Sequence, residues 1–412
     1  MTISLADIEQ AASALKGAVV ATEFAPSRTL STMFGADVWL KFENRQFTGS
    51  FKDRGALNRL RALDEPARRR GVIAMSAGNH AQGVAYHAQR LGIPATIFMP
   101  LGTPFVKIAG TEVLGATVRL SGETVDEAAV QALEMAARDG LTFVHPYDDP
   151  MVIAGQGTIA LELMAEAPLL DALIVPIGGG GLIAGIATAY AARSPSTKIY
   201  GVQAALYPSM RNALKDERRP LGGASVADGI AVKTPGALTR PIIERLVEDV
   251  LLVGEDSIEQ AIVTLLEIEK TFAEGAGAAA LAALMVERPR FEGKRVGLIV
   301  SGGNMDPRLL ASVIMRGLVR AGRIARLRLT IADRPGMLGH VARIVGETHA
   351  NILEVYHERA FLQVPAKSAG LVLVLETRDE AHVARVMSAL TGAGLEAIRL
   401  SPDHPEEGNA VT

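Results

Sequence analysis

The chain has 412 residues, more than one typical domain holds, so two or three folding units are expected. With 49% hydrophobic and 21% charged residues, it is neither disordered nor collagenous nor a coiled coil. The 42 Lys and Arg against 45 Asp and Glu leave no basic surplus for nucleic acid or an anionic membrane, and the absence of Cys excludes disulfides, thiolate catalysis and thiolate metal sites. Asp7, Glu9 and Glu23 interrupt the amino end, which lacks the basic-then-apolar order of a signal peptide; a cytoplasmic location is the expectation.

In chain order, short β-branched runs alternate with alanine-rich helical runs. Gly71 to Met75 reads as a strand, followed by a helix from Ala81 to Leu91 that Gly92 stops. Strands follow at Ala95–Met99 and Thr117–Leu120, with a helix from Thr124 to Arg138. Later strands read at Leu173–Pro176, Lys198–Val202, Asp249–Val253 and Val296–Val300. Leu173 to Ala192 is uncharged and bilayer-long, but Pro176 and the run Gly178 to Gly181 would break a spanning helix, so a buried strand, a loop and a helix are expected. Strands separated by helices predict a parallel sheet with helices on both faces and ligands at the strands' carboxyl ends.

After about Gly322 the texture changes. Arg326–Ile331 alternates like a half-exposed strand, Asp333–Gly336 is a turn, and Met337–Glu347 has helical spacing. Strands at Asn351–His357 and Gly370–Thr377, a helix at Glu380–Leu390 and a strand at Leu395–Leu400 complete a βαββαβ unit of ferredoxin-like size. The polar tail from Ser401 is expected to fray.

Four segments can carry chemistry. In Ser50-Phe51-Lys52-Asp53-Arg54-Gly55, Ser50 reads as an N-cap with Asp53 closing a capping box; equally, an aromatic neighbour and a helix amino end suit a lysine of depressed pKa. Ser76-Ala77-Gly78-Asn79-His80 joins a strand to a helix, and either holds a carboxylate or phosphate or is a plain turn capped by Asn79. Gly178 to Gly181 with Leu182 also follows a strand, and its backbone can approach a phosphate closely. Gly179 to Ala184 even fits a dinucleotide fingerprint, but the acid such a fold wants after the next strand is Gln203. Ser301-Gly302-Gly303-Asn304 could present a hydroxyl to the same crevice, and no histidine spacing suggests zinc.

Taken together and in this order, these segments resemble the threonine dehydratase (threonine ammonia-lyase) and serine racemase group of pyridoxal-phosphate enzymes, of the tryptophan-synthase-β type (fold type II). Pro146 to Pro150, Ala154 to Thr158 and Glu274 to Ala278 extend the resemblance, and Asp333 to Leu338 with Asn351-Ile352 look like an ACT regulatory domain. The resemblance implies an α/β fold of two lobes with parallel or mixed sheets, spanning 1–322, the small lobe of about 45–150 inserted in the large one, and an ACT domain at 323–412. It implies pyridoxal 5'-phosphate bound through a Schiff base to Lys52. Phe51 would pack on the ring, Asn79 would bond its 3-oxygen, Gly178, Gly179, Gly180, Gly181 and Leu182 would cradle the phosphate, and Ser301 would meet the ring nitrogen. The substrate carboxylate would lie on Ser76, Ala77, Gly78, Asn79 and His80; Glu274 lies near the ring without an assigned role.

The implied reaction is L-threonine to 2-oxobutanoate and ammonia, with L-serine as a second substrate. A dehydratase of serine or threo-3-hydroxyaspartate, a serine racemase, and a catalytically decayed ligand sensor are the alternatives. Ala77 replaces the serine that those racemases use on the face opposite the lysine, and Gln203 replaces their metal-binding glutamate, so no metal is expected. The ACT resemblance implies a homodimer or homotetramer. It also implies a branched-chain amino-acid effector at Asp333, Gly336, Met337 and Leu338, with Asn351 nearby.

Overall fold

The computed structural model describes residues 3–167, 169–359, 365 and 367–400; the tail from Ser401, expected to fray, lies outside them. The chain divides into Met1–Pro307 and Arg308–Thr412, ahead of the boundary expected at 322/323.

The first unit holds two sheets. The larger runs, edge to edge, through Phe24–Pro26, Asp37–Phe42, Arg295–Val300, Ala172–Pro176, Lys198–Ala204 and Asp249–Val253. All neighbours are parallel except the first pair, so the sheet is mixed. Its central strand Ala172–Pro176 is buried along its whole length, which is why it reads as a continuous apolar run. The smaller sheet runs Thr117–Leu120, Ala95–Met99, Val72–Met75 and Thr142–Phe143, all parallel. Its strands fall between Asp37–Phe42 and Ala172–Pro176 in the chain, so the small lobe is an insertion in the large one. Each lobe has its own apolar core, around Ile174's neighbours Leu173 and Val175 in one and around Ile97 and Ala81 in the other.

The apolar segment from Leu173 is a strand, the glycine loop and the helix Gly181–Arg193, and among the described residues no helix is long and apolar enough to cross a membrane. Two short strands, Phe24–Pro26 and Thr142–Phe143, carry too few residues to show a period.

The second unit is a four-stranded antiparallel sheet in the order Asn351–Glu358, Ser368–Glu376, Ile324–Ala332, Ala397–Arg399, with helices Met337–Glu347 and Glu380–Gly392. Leu327, Leu329, Leu371, Leu373 and Leu375 face Val341, Val345, Val386 and Leu390 in one core. The βαββαβ order is therefore present. The register bears on the expected effector site. Asn351 pairs with Glu376, which pairs with Ile324, whereas Asp333 follows Ala332 at the opposite end of that strand. Within one chain Asn351 and the Asp333–Leu338 turn are thus at opposite ends of the sheet.

Candidate active site

Lys52 opens the helix Lys52–Arg61. The capping box expected of Ser50 and Asp53 is absent: Phe51 is the N-cap and no side chain caps it. Asp53 instead accepts from the Thr48 N–H at 3.1 Å and from the Thr48 hydroxyl, and burial lifts its carboxyl to about 6. The stretch Gly49–Phe51 is zipped to Ser301–Gly303. Phe51 N–H donates to the Ser301 carbonyl (3.1 Å), Gly303 N–H to the Gly49 carbonyl (2.9 Å), and Ser50 bridges Gly302. This pairing places the buried Ser301 beside the lysine segment, as the two motifs require.

Lys52 Nζ donates to the Pro146 carbonyl at 2.6 Å and sits 5.1 Å from the Phe51 ring centre. Burial depresses its pKa to about 8, with the charge of Glu274 opposing. His80, the second helical residue, is buried; its Nε2 meets the Val144 carbonyl at 2.9 Å, and burial and the Lys52 charge hold the ring neutral, with a pKa of about 3.

Two strand–turn–helix junctions lie near this lysine: Pro146, which accepts from its amine, adjoins the Tyr147 that packs on Gly179, and the lysine's charge reaches His80. At the first, Gly178 to Gly181 leads from Ala172–Pro176 into Gly181–Arg193. The N–H groups of Gly178 through Ile183 have no acceptor among the described residues, which makes an anion cradle at a helix amino end. Gly180 is in the left-handed region (φ +100°), and a Cβ on Gly179 would lie 2.2 Å from the Tyr147 ring. No larger residue fits at either place. Thr239 Oγ1 and Gly236 N–H both donate to the Gly179 carbonyl, at 2.6 and 3.1 Å, turning it away and fixing the loop.

At the second junction, Ser76 Oγ accepts from Gly78 N–H at 3.1 Å, while the N–H groups of Ala77, Asn79, His80 and Ala81 have no acceptor among the described residues. The turn from Ser76 to Asn79 is half-buried. Asn79 does not cap: Gly78 is the N-cap of the helix Asn79–Arg90, which starts two residues ahead of Ala81. The Asn79 side chain is engaged elsewhere, donating from Nδ2 to Glu274 Oε1 at 2.5 Å and accepting at Oδ1 from Asn304 Nδ2 at 2.8 Å.

Gln203 is fully buried; its Oε1 accepts from Arg211 N–H at 3.0 Å and its Nε2 donates to Ser209 Oγ at 3.4 Å, so it is spent within its own lobe. Among the described residues no three His, Asp or Glu are grouped to hold a metal. Several contributors carried no local signal. Tyr147 walls the glycine loop, and its hydroxyl donates to the Thr234 carbonyl at 3.2 Å. Arg54 is buried between Glu43 (2.8 Å) and Glu162 (2.6 Å), and Glu162 also accepts from the buried Lys41 at 2.6 Å. That cluster ties the lysine-bearing helix to the large lobe; Arg54's presence in the lysine motif was its one sequence trace.

An amine whose proton is weakly held, flanked by two sets of free N–H groups at strand ends, defines an enzyme cleft built for a phosphate-bearing group and a second anion. The donor set fits pyridoxal 5'-phosphate: an amine for its aldehyde, a glycine cradle that side chains would fill, and a buried neutral hydroxyl. A family model described as pyridoxal-phosphate dependent enzyme matches residues 15–302, and the chain belongs to that family. An L-threonine ammonia-lyase of Thermotoga maritima is 46% identical over 396 residues, 96% of this chain and 98% of its own length. One from Geobacter sulfurreducens is 44% identical, covering 94% of this chain and 97% of its own. Among solved structures, the processed threonine deaminase isoform 2 of Solanum lycopersicum superposes with a TM-score of 0.71 at 38% identity, over 76% of this chain and 86% of that one. A serine racemase of Dictyostelium discoideum gives 0.69 at 33% identity, over 74% and 100%.

Proposed function

We propose that the chain is an L-threonine ammonia-lyase, converting L-threonine to 2-oxobutanoate and ammonia and L-serine to pyruvate. The observation that carries the reading is the Lys52 amine held between two clusters of unpartnered N–H groups. Lys52, Phe51, Asn79, Gly178 to Leu182 and Ser301 would hold pyridoxal 5'-phosphate. When bound, that group supplies an aldehyde for the substrate amine and a ring that spreads the electron pair left on the α carbon. Lys52, with its pKa near 8, is readily neutral and takes the α proton. The free N–H groups of Ala77, Asn79, His80 and Ala81 bind the substrate carboxylate, which orients the α C–H bond. Loss of the α proton and the β hydroxyl releases one water, and hydrolysis of the resulting unsaturated amine takes one up, giving the 2-oxoacid and ammonia.

Lys52→Ala is expected to lose the visible absorbance of the bound cofactor and to cut 2-oxobutanoate formation by more than about a thousandfold. A Lys52→Ala protein that remains active sinks the proposal. A substrate ranking tests its finer part: one methyl is worth only about 1–3 kcal/mol, so kcat/KM for L-threonine should exceed that for L-serine by no more than about two orders of magnitude, and a higher value for threo-3-hydroxyaspartate would count against threonine as the main substrate. Ala77 offers no hydroxyl for racemisation, so D-serine should not accumulate from L-serine.

For the second unit we read an ACT-like regulatory module. The edge strand Asn351–Glu358 is exposed on both faces and shows Leu353, Val355 and Tyr356 to solvent, a row of unpaired backbone groups that a second copy would cover. A two-fold axis normal to the sheet pairs such edges antiparallel. Asn351 of one copy then lies level with the other copy's Glu358 and the Arg359 that binds Asp333 at 3.1 Å. The register that separates Asn351 from the Asp333–Leu338 turn within a chain thus reunites them across a dimer. Gly336 leaves open space before the helix Met337–Glu347, and a branched-chain amino acid is the effector we expect there. Titrating isoleucine and valine against the full chain should shift activity, and Val355→Lys should abolish both the response and the dimer. An unchanged oligomeric state in Val355→Lys would count against the edge pairing.

A further inference from the structure

The Asn79 carboxamide has two ends of opposite polarity, and its terminal torsion alone does not choose between them. The structure makes the choice from a backbone atom. The Thr48 carbonyl can only accept, and Asn304 Nδ2 donates to it at 2.6 Å and to Asn79 Oδ1 at 2.8 Å. With its oxygen taken, Asn79 must turn Nδ2 toward Glu274 Oε1, which accepts at 2.5 Å. One Nδ2–H is spent there, and the other has no partner among the described residues. Rotating the amide would set two N–H₂ groups against each other and lose both bonds.

Glu274 is built in rather than fortuitous. It is only 4% exposed, its N–H donates to the Gly302 carbonyl at 3.1 Å, and a Cβ on Gly302 would lie 2.3 Å from Oε1. Gly302 therefore makes room for this carboxyl, and Asn304 holds the amide behind it. That accounts for the Gly and Asn of Ser301-Gly302-Gly303-Asn304 as well as the Ser.

We infer that Glu274 is a positioning residue: together with Asn304 it locks Asn79 so that one amide N–H faces the cleft as a fixed donor. This rests on the reading of Asn79 as a cofactor-binding residue, where the acceptor is an oxygen of the ring. The groups bearing on Glu274 are Asp228, Lys107 and Lys52, the first two paired at 2.7 Å. Burial first, and then the charge of Asp228, push the carboxyl up to about 8. The raised carboxyl favours the protonated, neutral acceptor over a negative charge beside an electron-rich ring oxygen.

The test uses full-length protein loaded with pyridoxal 5'-phosphate, comparing Glu274→Ala, Glu274→Gln, Asn304→Ala, Asn79→Ala and the double variant Asn79→Ala/Glu274→Ala. Cofactor Kd, the position and pH titration of the visible band, and kcat and KM for L-threonine are read, with thermal melts to confirm folding. Glu274→Ala and Asn304→Ala should weaken cofactor binding and lower kcat by about tenfold each, the loss of one oriented buried hydrogen bond, and leave KM within about threefold. Glu274→Gln keeps a neutral acceptor and should retain the band and most of kcat. The double variant should be no worse than Asn79→Ala. A Gln variant as impaired as Ala, additive losses in the double variant, or a Glu274→Ala protein with an unchanged band overturns the inference. A silent Asn79→Ala, by contrast, overturns the cofactor role of Asn79 itself, and the inference with it.

Discussion

The two N–H clusters around Lys52 share a strand–turn–helix plan, yet they are built to opposite standards. The Gly178–Gly181 loop is crowded: Tyr147, Thr239 and Val232 stand where any side chain would go, and the helix that follows is buried through most of its length. At the Ser76–His80 turn, a Cβ on Gly78 would meet nothing within 4 Å, and Ser76 to Asn79 are half-buried. A crowded cradle costs little reorganisation and suits an anion that stays; an open one suits an anion that comes and goes. The difference favours the proposed division, with phosphate at the first and substrate carboxylate at the second.

The sharpest way to break that comparison is to put the same methyl in both places. Gly179→Ala should raise cofactor Kd by about a hundredfold, since overpacking costs about 1–3 kcal/mol and moves the donors as well. Gly78→Ala, whose φ of −144° any residue adopts, should leave cofactor Kd unchanged and alter KM by about threefold at most. Equal effects would erase the distinction. Next, Tyr147→Ala should restore part of the cofactor affinity of Gly179→Ala, read as a coupling in a double-mutant cycle. Ser76→Ala removes the hydroxyl that accepts from Gly78 N–H and should raise KM for L-threonine about fivefold, with cofactor Kd intact.

The smallest effect is on stability. Glu274, which reaches the open turn through Asn79, holds its proton to about pH 8 folded against 4.5 ordinarily. The folded state then binds the extra proton, so the stability this group lends is full below pH 4.5 and is lost as pH rises through 8. Lys52 works the other way: with its pKa lowered from 10.5 to about 8, its contribution improves as pH rises across that interval. Between pH 5 and 8 the cofactor-free wild type should therefore lose a few degrees of Tm relative to Glu274→Gln. A constant difference across that range would refute the protonated carboxyl.

Much of this was legible in the chain. Strands such as Asp249–Val253 and the helix Met337–Glu347 are bounded as their periodicity indicates, because local apolar spacing decides them. Both N–H clusters were marked by glycine and small residues after a strand. What stayed hidden depends on pairing between distant segments. Asn79 looked like a cap, because nothing near it in sequence reveals that residues 274 and 304 compete for its amide. Ser50 and Asp53 formed a plausible capping box until Gly302 and Thr48 claimed that segment. That Asn351 and Asp333 lie at opposite ends of the sheet within one chain was hidden, because strand order was readable and antiparallel register was not.

The buried cluster of Arg54, Glu43, Glu162 and Lys41 has a consequence for how the first unit comes apart. Arg54, Glu43 and Lys41 are buried and Glu162 only partly exposed, so removing one of the buried partners strands another, a cost of about 3–5 kcal/mol. Intermediate states with the cluster half-formed are therefore poorly populated. The lysine-bearing helix cannot leave the large lobe's frame while the rest of the unit stays native. Although the small lobe has its own sheet and core, it is not a separable folding module. A calorimetric scan of residues Met1–Pro307 should show one endotherm, with the nucleophile's anchor melting in the same transition as the strand Asp37–Phe42.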